Sequence, residues 1–369
     1  MRQSQARKKE EESIPAIVYK KAKARRETES VPMAAGLQML AIETSCDETA
    51  VAVLSNGRTI LSNMVASQIS LHERFGGVVP EIASRRHLEV INPLLKQALE
   101  KADAGFVDIS AVAVTIGPGL VGALLIGLGA AKAISYVTGL PLVGVNHIEG
   151  HLFANFLEHP DLRPPLVCLI VSGGHTSIVY MPDFGKYELV GETLDDAVGE
   201  AYDKVSNYLG LGYPGGPVLD GLAKDGDPSS IHFPRAMLHD GFDFSLSGLK
   251  TAVLNYVTRE RSAGREVNVA NLAASFQAAV VDVLVAKTVA AAQRFEVENV
   301  ALAGGVAANS GLRAGFEAAA SKTGFELFYP SPALCTDNAA MIAAAGYYRF
   351  LSGERLPLTA NPDPNLRLT

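Results

Sequence analysis

LAIETSCDETAVAVL, at residues 40–54, is the stretch that decides the fold of this chain. Two apolar runs flank a polar segment in it, a pattern that predicts a strand, a turn and a second strand. The same order returns at residues 166–181, where Ser172-Gly173-Gly174-His175-Thr176 is the polar turn. Two such units, each followed by helical segments, predict a duplicated α/β fold.

Length and composition set the limits of the architecture. The chain has 369 residues, of which 48% are hydrophobic. Single cores stop growing near roughly 250 to 300 residues, so two domains are expected. The formal net charge of −7 excludes a general attraction to nucleic acid. A nucleic-acid substrate would therefore need a local basic patch or the surface of a partner.

Cysteine usage and targeting signals indicate a cytoplasmic protein. The three cysteines, Cys46, Cys168 and Cys335, are odd in number and far apart, as in a reducing compartment. Residues 1–36 mix lysine, arginine and glutamate and predict a disordered charged tail without the apolar segment of a secretory signal.

One uncharged run, residues 109–131, is long enough to raise the question of a membrane span. Gly117-Pro118-Gly119 divides it, because proline and paired glycines interrupt a helix. A buried strand at 111–116, a turn and a buried helix from about Leu120 are predicted instead, and no membrane partner is expected.

A metal site is predicted by Asn146-His147-Ile148-Glu149-Gly150-His151. Two imidazoles four residues apart lie on one side of a helix. Glu149 lies roughly 200° around the helix from each histidine, unlike the general base of the zinc-peptidase pattern His-Glu-x-x-His. Two ligands are too few for a metal, and Asp337, expected in the first turn of a helix, is the candidate third. The alternative is a pair of histidines that cap the helix or face solvent.

Two glycine segments predict anion binding. Paired glycines in residues 172–176 allow backbone N–H groups to approach a phosphate, although a plain hairpin turn is the alternative. Residues 300–312 form a strand, the turn Gly304-Gly305-Val306-Ala307-Ala308-Asn309 and a helix start, where free N–H groups favour anions and Asn309 can bond a sugar hydroxyl. The turn at residues 304–309 is not the G-x-G-x-x-G fingerprint, so it does not indicate a dinucleotide fold.

Other polar segments favour ordinary structure as much as function. Residues 194–220 combine carboxylates with the loop 213–217, a pattern typical of a charged helix followed by a turn. Ser247 is a candidate helix cap, and Lys250 is a candidate phosphate ligand or an exposed lysine. Arg85 and Arg86 mark a basic spot or a pair of surface ion pairs. The helix that follows them has a predicted apolar stripe, namely Leu88, Ile91, Leu95, Ala98 and Leu99.

Taken together, these segments resemble the TsaD family, the tRNA adenosine threonylcarbamoyltransferases formerly labelled glycoproteases. The resemblance runs from about Met39 to Phe350. Its motifs are residues 43–49, Gly117-Pro118-Gly119, residues 147–151, 171–176, 213–217, 304–309 and 335–338. Leu246 departs from the family pattern, which has an aromatic residue in this segment.

The resemblance implies the actin-like ATPase (ASKHA) superfold, with two duplicated RNase H-like α/β lobes and a ligand cleft between them. Residues 37–160 plus 331–352 would form the N-terminal lobe, residues 161–330 the C-terminal lobe and residues 353–369 a C-terminal tail. It also implies transfer of a threonylcarbamoyl group from L-threonylcarbamoyladenylate to N6 of the adenosine next to the anticodon, in tRNAs reading codons that begin with A, with release of AMP.

Site residues follow from the resemblance position by position. His147, His151 and Asp337 would hold one divalent metal ion, with Fe²⁺ expected and Zn²⁺ as the alternative. The adenylate would be held by Ile170, Val171, Ser172, Gly173, Gly174, Asp203, Gly216, Asp220 and Asn309. No catalytic residue is assigned, and Glu48 and Lys250 are the candidates. A TsaB-like paralogue, a TsaE-like ATPase and tRNA are the expected partners.

Three other functions compete with this interpretation. A kinase or ATPase of the same superfold shares the turns but has no use for the histidine pair. A metallopeptidase is disfavoured by the position of Glu149. A scaffold paralogue without activity would be expected to lack His147, His151 and Asp337.

Overall fold

The computed structural model describes residues 36–368, so the predicted charged tail lies outside the described residues except for Gly36. Two five-stranded sheets organise the described chain. The first contains β1 (Gln38–Glu43), β2 (Glu48–Ser55), β3 (Thr59–Ser67), β4 (Ala111–Gly117) and β5 (Leu142–Asn146). The second contains β6 (Leu166–Val171), β7 (Thr176–Asp183), β8 (Lys186–Glu192), β9 (Asn299–Ala303) and β10 (Glu326–Phe328).

Both sheets have the same topology. The strand order is β3-β2-β1-β4-β5 in one and β8-β7-β6-β9-β10 in the other. In each, the first three strands are antiparallel and the last two are parallel to the first. The predicted strand–turn–strand units at 40–54 and 166–181 and the duplication that they indicated are confirmed.

The described range contains nine α-helices of nine or more residues. They are α1 (Pro80–Lys101), α2 (Val121–Thr138), α3 (His147–Glu158), α4 (Val198–Leu209), α5 (Gly215–Ala223), α6 (Ser247–Ser262), α7 (Val269–Arg294), α8 (Ser310–Thr323) and α9 (Ala339–Leu351). Single helical turns occur at Ile69–His72 and Pro332–Cys335, and 3-10 turns at Glu73–Phe75 and Gly305–Ala308.

Three local predictions are wrong. Leu88 is 64% exposed, so the apolar stripe of α1 begins only at Ile91. Ser247 is the first residue of α6 rather than its cap, and its hydroxyl donates to Asp195. Asp337 lies before α9 rather than in its first turn, and the cap is Asn338, whose side chain accepts from the Met341 N–H.

The last helix of each half packs against the sheet of the other half. Helix α3 follows β5 of the first sheet but contacts β6 and β9 of the second. Helix α9 follows β10 of the second sheet but contacts β1, β2 and β4 of the first. The two helices meet at Gly150, where an added Cβ would lie 2.6 Å from Ile342 Cδ1. Only a residue without a side chain permits this close approach.

One hydrophobic core lies between the sheets and includes both exchanged helices. It contains Phe153 and Phe156 of α3, Met341 and Ile342 of α9, and strand residues from both sheets. The outer face of the first sheet is covered by α1 and α2, and that of the second by helices of the α4–α7 region. Leu246, the departure from the family pattern, is 5% exposed and packs in this second core.

The segment after α9 runs along the first sheet. The Leu356 N–H donates to Leu142 O, and the Asp363 N–H donates to Ile116 O, so this segment follows β5 and β4. Near its end, Leu366 O accepts from Asn146 Nδ2 at the start of α3.

Two helices in the described range, α2 and α7, are long and apolar enough to cross a membrane by length and composition. The apolar window of α7 is 61% buried inside the protein. Core helices of soluble proteins pass the same test, so the finding is weak evidence for a span.

Two helical glycines in opposite environments test the packing of α9. Gly346→Ala would place a Cβ 2.6 Å from Ala113 Cβ, whereas Gly129 of α2 has nothing within 4 Å of the same position. We expect Gly346→Ala to lower the free energy of unfolding by about 1 to 3 kcal/mol through overpacking. Gly129→Ala should raise it by about 0.5 to 1 kcal/mol, because it only removes the entropy cost of a helical glycine. Urea titration of both variants measures the two changes, and equal effects would contradict the packing of α9 on β4.

Candidate active site and metal centre

Three side chains of the kinds that bind metals meet where α3 and α9 begin. His147 Nε2 lies 3.6 Å and His151 Nε2 lies 3.1 Å from Asp337 Oδ1. One ligand atom from each residue falls within 4.8 Å of the other two. The structure therefore brings the predicted third ligand, which is distant in sequence, to the predicted histidine pair.

Helix capping positions these side chains. The Asn146 side chain accepts hydrogen bonds from the Ile148 and Glu149 N–H groups and so starts α3 at His147. Asn338 caps α9 in the same way, which places Asp337 just outside that helix. The imidazoles of His147 and His151 meet edge to face, with ring centroids 4.6 Å apart. Both lie on one side of α3, as their spacing predicted.

The unsatisfied nitrogens of His151 fit a bound cation. His151 is fully buried, and neither of its ring nitrogens makes a hydrogen bond of acceptable geometry within residues 36–368. Buried polar atoms are normally paired, so an orphaned ring nitrogen 3.1 Å from a carboxylate suits a shared metal ligand. Asp337 keeps 19% of its side chain exposed, which leaves one side of the cluster open.

Glu43 determines which nitrogen of His147 faces the cluster. Its fully buried carboxylate lies 3.2 Å from His147 Nδ1 and also accepts from the Thr115 hydroxyl and the Ser45 N–H. An Nδ1–H that donates to this carboxylate leaves Nε2 with a lone pair toward Asp337. A carboxylate behind a metal-binding histidine orients the ring and raises its basicity.

Charges within the cluster shift its pKa values in opposite directions. Burial alone would raise the pKa of Asp337, but the neighbouring imidazoles of His147 and His151 lower it well below its usual range. Burial lowers the pKa of His147, but Asp337 and Glu43 raise it to about 9. Without a bound cation, His147 is therefore protonated at neutral pH. Its positive charge then lies between the carboxylates of Glu43 and Asp337.

Glu149 points away from the metal cluster, as its position on the helix predicted. It accepts hydrogen bonds from the Tyr187 hydroxyl and from Arg349, at 2.7 Å and 2.6 Å. These contacts connect β8 and α9 through α3. Because the carboxylate is engaged there, it has no access to a metal-bound reactant, and the peptidase arrangement does not occur.

The loop after β6 lies beside the metal cluster. Ile170 and Val171 are fully buried at the end of that strand, whereas Gly173 and Gly174 are exposed in the loop that follows. His175, the next residue, has its pKa lowered to about 4 by burial and by the charges of His147 and His151. The predicted anion loop therefore lies next to the predicted metal ligands.

Two glycines permit other segments to approach this loop. A Cβ on Gly304 would lie 2.3 Å from Val171 O, and its φ of +87° also favours glycine. A Cβ on Gly199 would lie 2.7 Å from Ser172 O. The starts of α4 and of the 3-10 turn before α8 are consequently next to residues 172–174.

The remaining predicted adenylate ligands cluster around α4, α5 and the start of α8. Asp203 accepts from the Gly215 N–H, which places it against the first turn of α5, where Gly216 lies. Asp220 of α5 accepts from the hydroxyl and the N–H of Ser310. Asn309 precedes Ser310 and connects through Gln277 to the Tyr202 hydroxyl.

The side chain of Asn309, predicted to bond a sugar hydroxyl, is already held by hydrogen bonds within the protein. Its Oδ1 accepts from the Leu312 N–H as the cap of α8, and its Nδ2 donates to Gln277. The side chain is 8% exposed. Both polar atoms already have partners, so a sugar hydroxyl would have to share Oδ1 or bond the neighbouring backbone.

The turn between β1 and β2 faces these residues from the other sheet. Burial and the charges of Asp337 and Asp47 raise the pKa of Glu48 to about 9. Asp47 also contributes to the raised pKa values of Asp203 and Tyr213, after burial as the main cause. Carboxylates from both halves therefore lie near one another beyond the end of the shared core, in the region between the turn of β1 and β2 and helices α4 and α5, which we call the cleft, and Glu48 carries a proton at neutral pH.

The two catalytic candidates differ in availability. Glu48 accepts a hydrogen bond from the Ser67 hydroxyl and lies close enough to Asp337 for their charges to interact. Lys250 forms an ion pair with Asp196, which is also bound by Lys204. Lys250 is therefore engaged within its own half, whereas Glu48 is the candidate whose pKa is raised by the charge of Asp337, after burial as the main cause.

A family model described as TsaD, tRNA N6-adenosine threonylcarbamoyltransferase, matches residues 59–344. The chain belongs to the TsaD family. Membership identifies its activity as the transfer of a threonylcarbamoyl group to N6 of adenosine in tRNA, and so identifies it as an acyltransferase.

Individual TsaD proteins are similar to this chain over nearly their whole length. A tRNA N6-adenosine threonylcarbamoyltransferase of Clostridium botulinum (strain 657 / Type Ba4) is 56% identical over 337 residues, which are 91% of this chain and 99% of the relative. One from Clostridium kluyveri (strain NBRC 12016) is 55% identical over 334 residues, 90% and 98% of the two chains.

Solved structures with little sequence similarity share the TsaD fold. HypF from T. kodakarensis superposes with a TM-score of 0.61 at 13% identity, over 87% of this chain and 50% of that chain. HypF in a phosphate- and nucleotide-bound form gives a TM-score of 0.59 at 14% identity, over 86% and 47%. The expected actin-like ATPase superfold is confirmed.

Sequence reasoning missed several residues of the TsaD site. Glu43 and Ser45 were part of a recognised turn, but no local signal assigned them to His147. Thr115 lies in an apolar strand without any signal, and Gln277 lies in a helix that reads as core. His175 was detectable, because it directly follows the paired glycines of the predicted anion loop.

Glu43→Gln tests the contact behind His147. The amide keeps the shape of the side chain but removes the negative charge that Nδ1–H meets. We expect the affinity for Zn²⁺ or Co²⁺ to fall about 10- to 100-fold, measured by competition with a chromogenic chelator. The control Glu317→Gln, which removes an exposed carboxylate bonded to Tyr329, should bind metal like the original chain. Equal affinities of the two variants would contradict the role of Glu43.

The raised pKa of His147 predicts how metal affinity depends on pH. A metal must displace a proton from His147 below its pKa of about 9. Apparent affinity should therefore rise with pH, about tenfold per unit between pH 7 and 9, and level off above pH 9. Isothermal titration in buffers of different ionisation enthalpy measures both the affinity and the released proton. An affinity that does not change with pH in this window would exclude a protonated His147.

Proposed function

We propose that the chain transfers the threonylcarbamoyl group of L-threonylcarbamoyladenylate to N6 of the adenosine next to the anticodon, in tRNAs reading codons that begin with A, and releases AMP. The observation that carries this proposal is the position of the metal cluster. Support comes from His175, which directly follows the loop at residues 172–174 and whose pKa is lowered by burial and by the charges of His147 and His151. A phosphate on that loop would therefore place its attached acyl group beside the cluster.

His147, His151 and Asp337 would hold one divalent metal ion, with Fe²⁺ expected and Zn²⁺ as the alternative. Two imidazoles and one carboxylate suit either ion and leave coordination positions for a reactant. When bound, the ion supplies a Lewis acid that stabilises negative charge on an oxygen of the donor.

The adenylate would be held by the residues that surround the far part of the cleft. Ile170, Val171, Ser172, Gly173 and Gly174 would present backbone to its phosphate. Asp203, Gly216, Asp220 and Asn309 would face its nucleoside, where carboxylates can accept from ribose hydroxyls. Support comes from the shared neighbourhood of these residues around α4, α5 and α8.

The reaction needs orientation more than a nucleophilic side chain. The N6–C bond forms as the C–O bond to the phosphate of AMP breaks, and N6 loses one proton. The adenine amine is a weak nucleophile, so alignment of the two substrates supplies much of the acceleration. Glu48, which holds a proton at neutral pH, is the proposed participant in proton transfer: it would donate that proton to the departing phosphate of AMP and, once ionised, accept the proton that N6 loses. Lys250 is the second candidate. Its ion pair with Asp196 makes it less available to a substrate than Glu48.

The proposed division of the chain follows the family resemblance. Residues 37–160 plus 331–352 would move as the N-terminal lobe, and residues 161–330 as the C-terminal lobe, with residues 353–369 as a tail. An acidic chain that modifies tRNA would act in the cytoplasm together with a TsaB-like paralogue and a TsaE-like ATPase. No observation favours a kinase, an ATPase or a metallopeptidase over this function.

Reconstitution tests the proposed function. The chain is combined with its companions, unmodified tRNA, threonine, bicarbonate, ATP and the enzyme that forms the adenylate, and modified nucleosides are measured by mass spectrometry. His151→Ala and Asp337→Ala should lose bound metal and lower transfer by about a hundredfold or more, because charge stabilisation in the transition state is lost.

His159→Gln provides the control for these variants. His159 directly follows the last residue of α3, at the end of the helix opposite to His147, and its Nε2–H donates to Tyr329 O at 3.0 Å. Its replacement should leave metal content and transfer unchanged. Nucleotide turnover that survives loss of the metal, without any modified nucleoside, would reject the transferase and support the kinase alternative.

A further inference from the structure

A groove beside the cleft carries positive charge that the proposed mechanism does not use. It has a volume of about 600 Å³ and lies between the segment that follows β3 and the first turns of α1. We call it the basic groove and define it by six of its polar lining residues, namely Ser67, Gln68, Arg74, Arg85, Arg86 and Glu89.

The charge of the basic groove is not balanced within the described chain. Arg86 donates to Glu89, with Nη1 and Oε2 2.9 Å apart. Arg74 and Arg85 make no ion pair and no side-chain hydrogen bond within residues 36–368, and Arg74 lies over the exposed ring of Phe75. The sequence left open whether Arg85 and Arg86 form a basic spot or surface ion pairs. An ion pair is present for Arg86 alone. A chain with a net charge of −7 concentrates uncompensated cations here.

The start of α1 adds to this positive potential. Arg85 and Arg86 lie in the second turn of the helix, where the partial positive charge of the helix N-terminus disfavours cations. Val79, at the cap position, makes no side-chain cap hydrogen bond, and Glu81 is the acidic residue of the first turn. The charges of the two guanidinium groups therefore have the same sign as the partial charge of the nearby helix end.

The basic groove begins at the loop that faces the metal cluster. Ser67, which lines the groove, donates its hydroxyl to Glu48 Oε1 at 3.0 Å. Glu48 in turn lies within electrostatic reach of Asp337, one of the proposed metal ligands. Consider a polyanionic strand with one nucleotide at the metal cluster. If the strand continues past Glu48, it enters the basic groove.

We propose that the basic groove binds the phosphodiester backbone of the tRNA substrate, next to the adenosine that reacts. The inference rests on the proposed function and names the part of the chain that holds its RNA. Arginine is suited to this contact because its planar guanidinium bonds two phosphate oxygens at once. Contacts to phosphate position the strand without reading its sequence, so tRNAs of different sequence can share them.

Steady-state kinetics of Arg74→Ala, Arg85→Ala and the double variant test the proposal in the assembled system with its companions. Each single change should raise KM for tRNA about fivefold at low salt and leave kcat and metal content unchanged, because phosphate contacts bind the ground and transition states equally. The slope of log KM against log salt should become shallower by about 1 per arginine removed.

Lys101→Ala is the matched control. It removes one positive charge from the last turn of the same helix, about 24 Å from Arg85 at 1.5 Å per residue. It should leave both KM and the salt dependence unchanged. Because all of these side chains are exposed, the variants should fold like the original chain.

The outcomes separate the two proposals. Absence of modified nucleoside with the unaltered chain rejects the proposed function, and retention of labelled tRNA on filters still measures the groove directly. Transfer by the unaltered chain, with the same KM for tRNA and the same salt slope in the arginine variants, overturns the role of the groove. Loss of companion binding with unchanged KM overturns it too, and assigns the surface to a protein partner.

Discussion

The close crossing of α3 and α9 is the constraint on which the site depends. Each helix ends one half of the duplicated chain and packs against the sheet of the other half. Gly150 lets them approach until Ile342 fills the space that a side chain would take. Because both helices begin at the same edge of the shared core, the histidines of α3 and the carboxylate before α9 meet although 186 residues separate His151 from Asp337. Movement of one helix relative to the other would separate them.

Charged residues form two neighbouring surfaces of opposite sign, the acidic cleft and the basic groove. The cleft gathers Glu43, Asp47, Glu48 and Asp337, and their mutual repulsion appears as the raised pKa of Glu48, after burial as its main cause. A cation among these carboxylates would remove much of that repulsion. The same negative charge makes the cleft unfavourable for RNA phosphate, so a nucleic-acid substrate needs positive charge nearby. Ser67, which lines the basic groove, donates a hydrogen bond to Glu48 of this acidic loop.

The pattern of the sequence predicted the elements better than their contacts. Apolar runs around residues 43–49 and 172–176 determined two strand–turn–strand units, since burial on both sheet faces leaves an uninterrupted apolar signal. Helical spacing correctly directed Glu149 away from the histidines. It failed for Leu88, because a surface position on α1 has the same spacing as a buried one. Ser247 and Asp337 were misplaced by one or two residues, since helix ends depend on which competing side chain supplies the cap.

By itself, the sequence determined the duplicated α/β fold, the histidine pair, the glycine turns and, through ordered motifs, the resemblance to the TsaD family. Only the tertiary structure decided that Glu43 and Thr115 lie behind His147, that Asn309 is already bonded to Gln277, and that Arg74 joins Arg85 in one groove. The physical reason is the range of the interactions. Periodicity and capping act within one or two helical turns, whereas these hydrogen bonds join residues 32 to 104 positions apart on different elements, which meet only once the chain has folded.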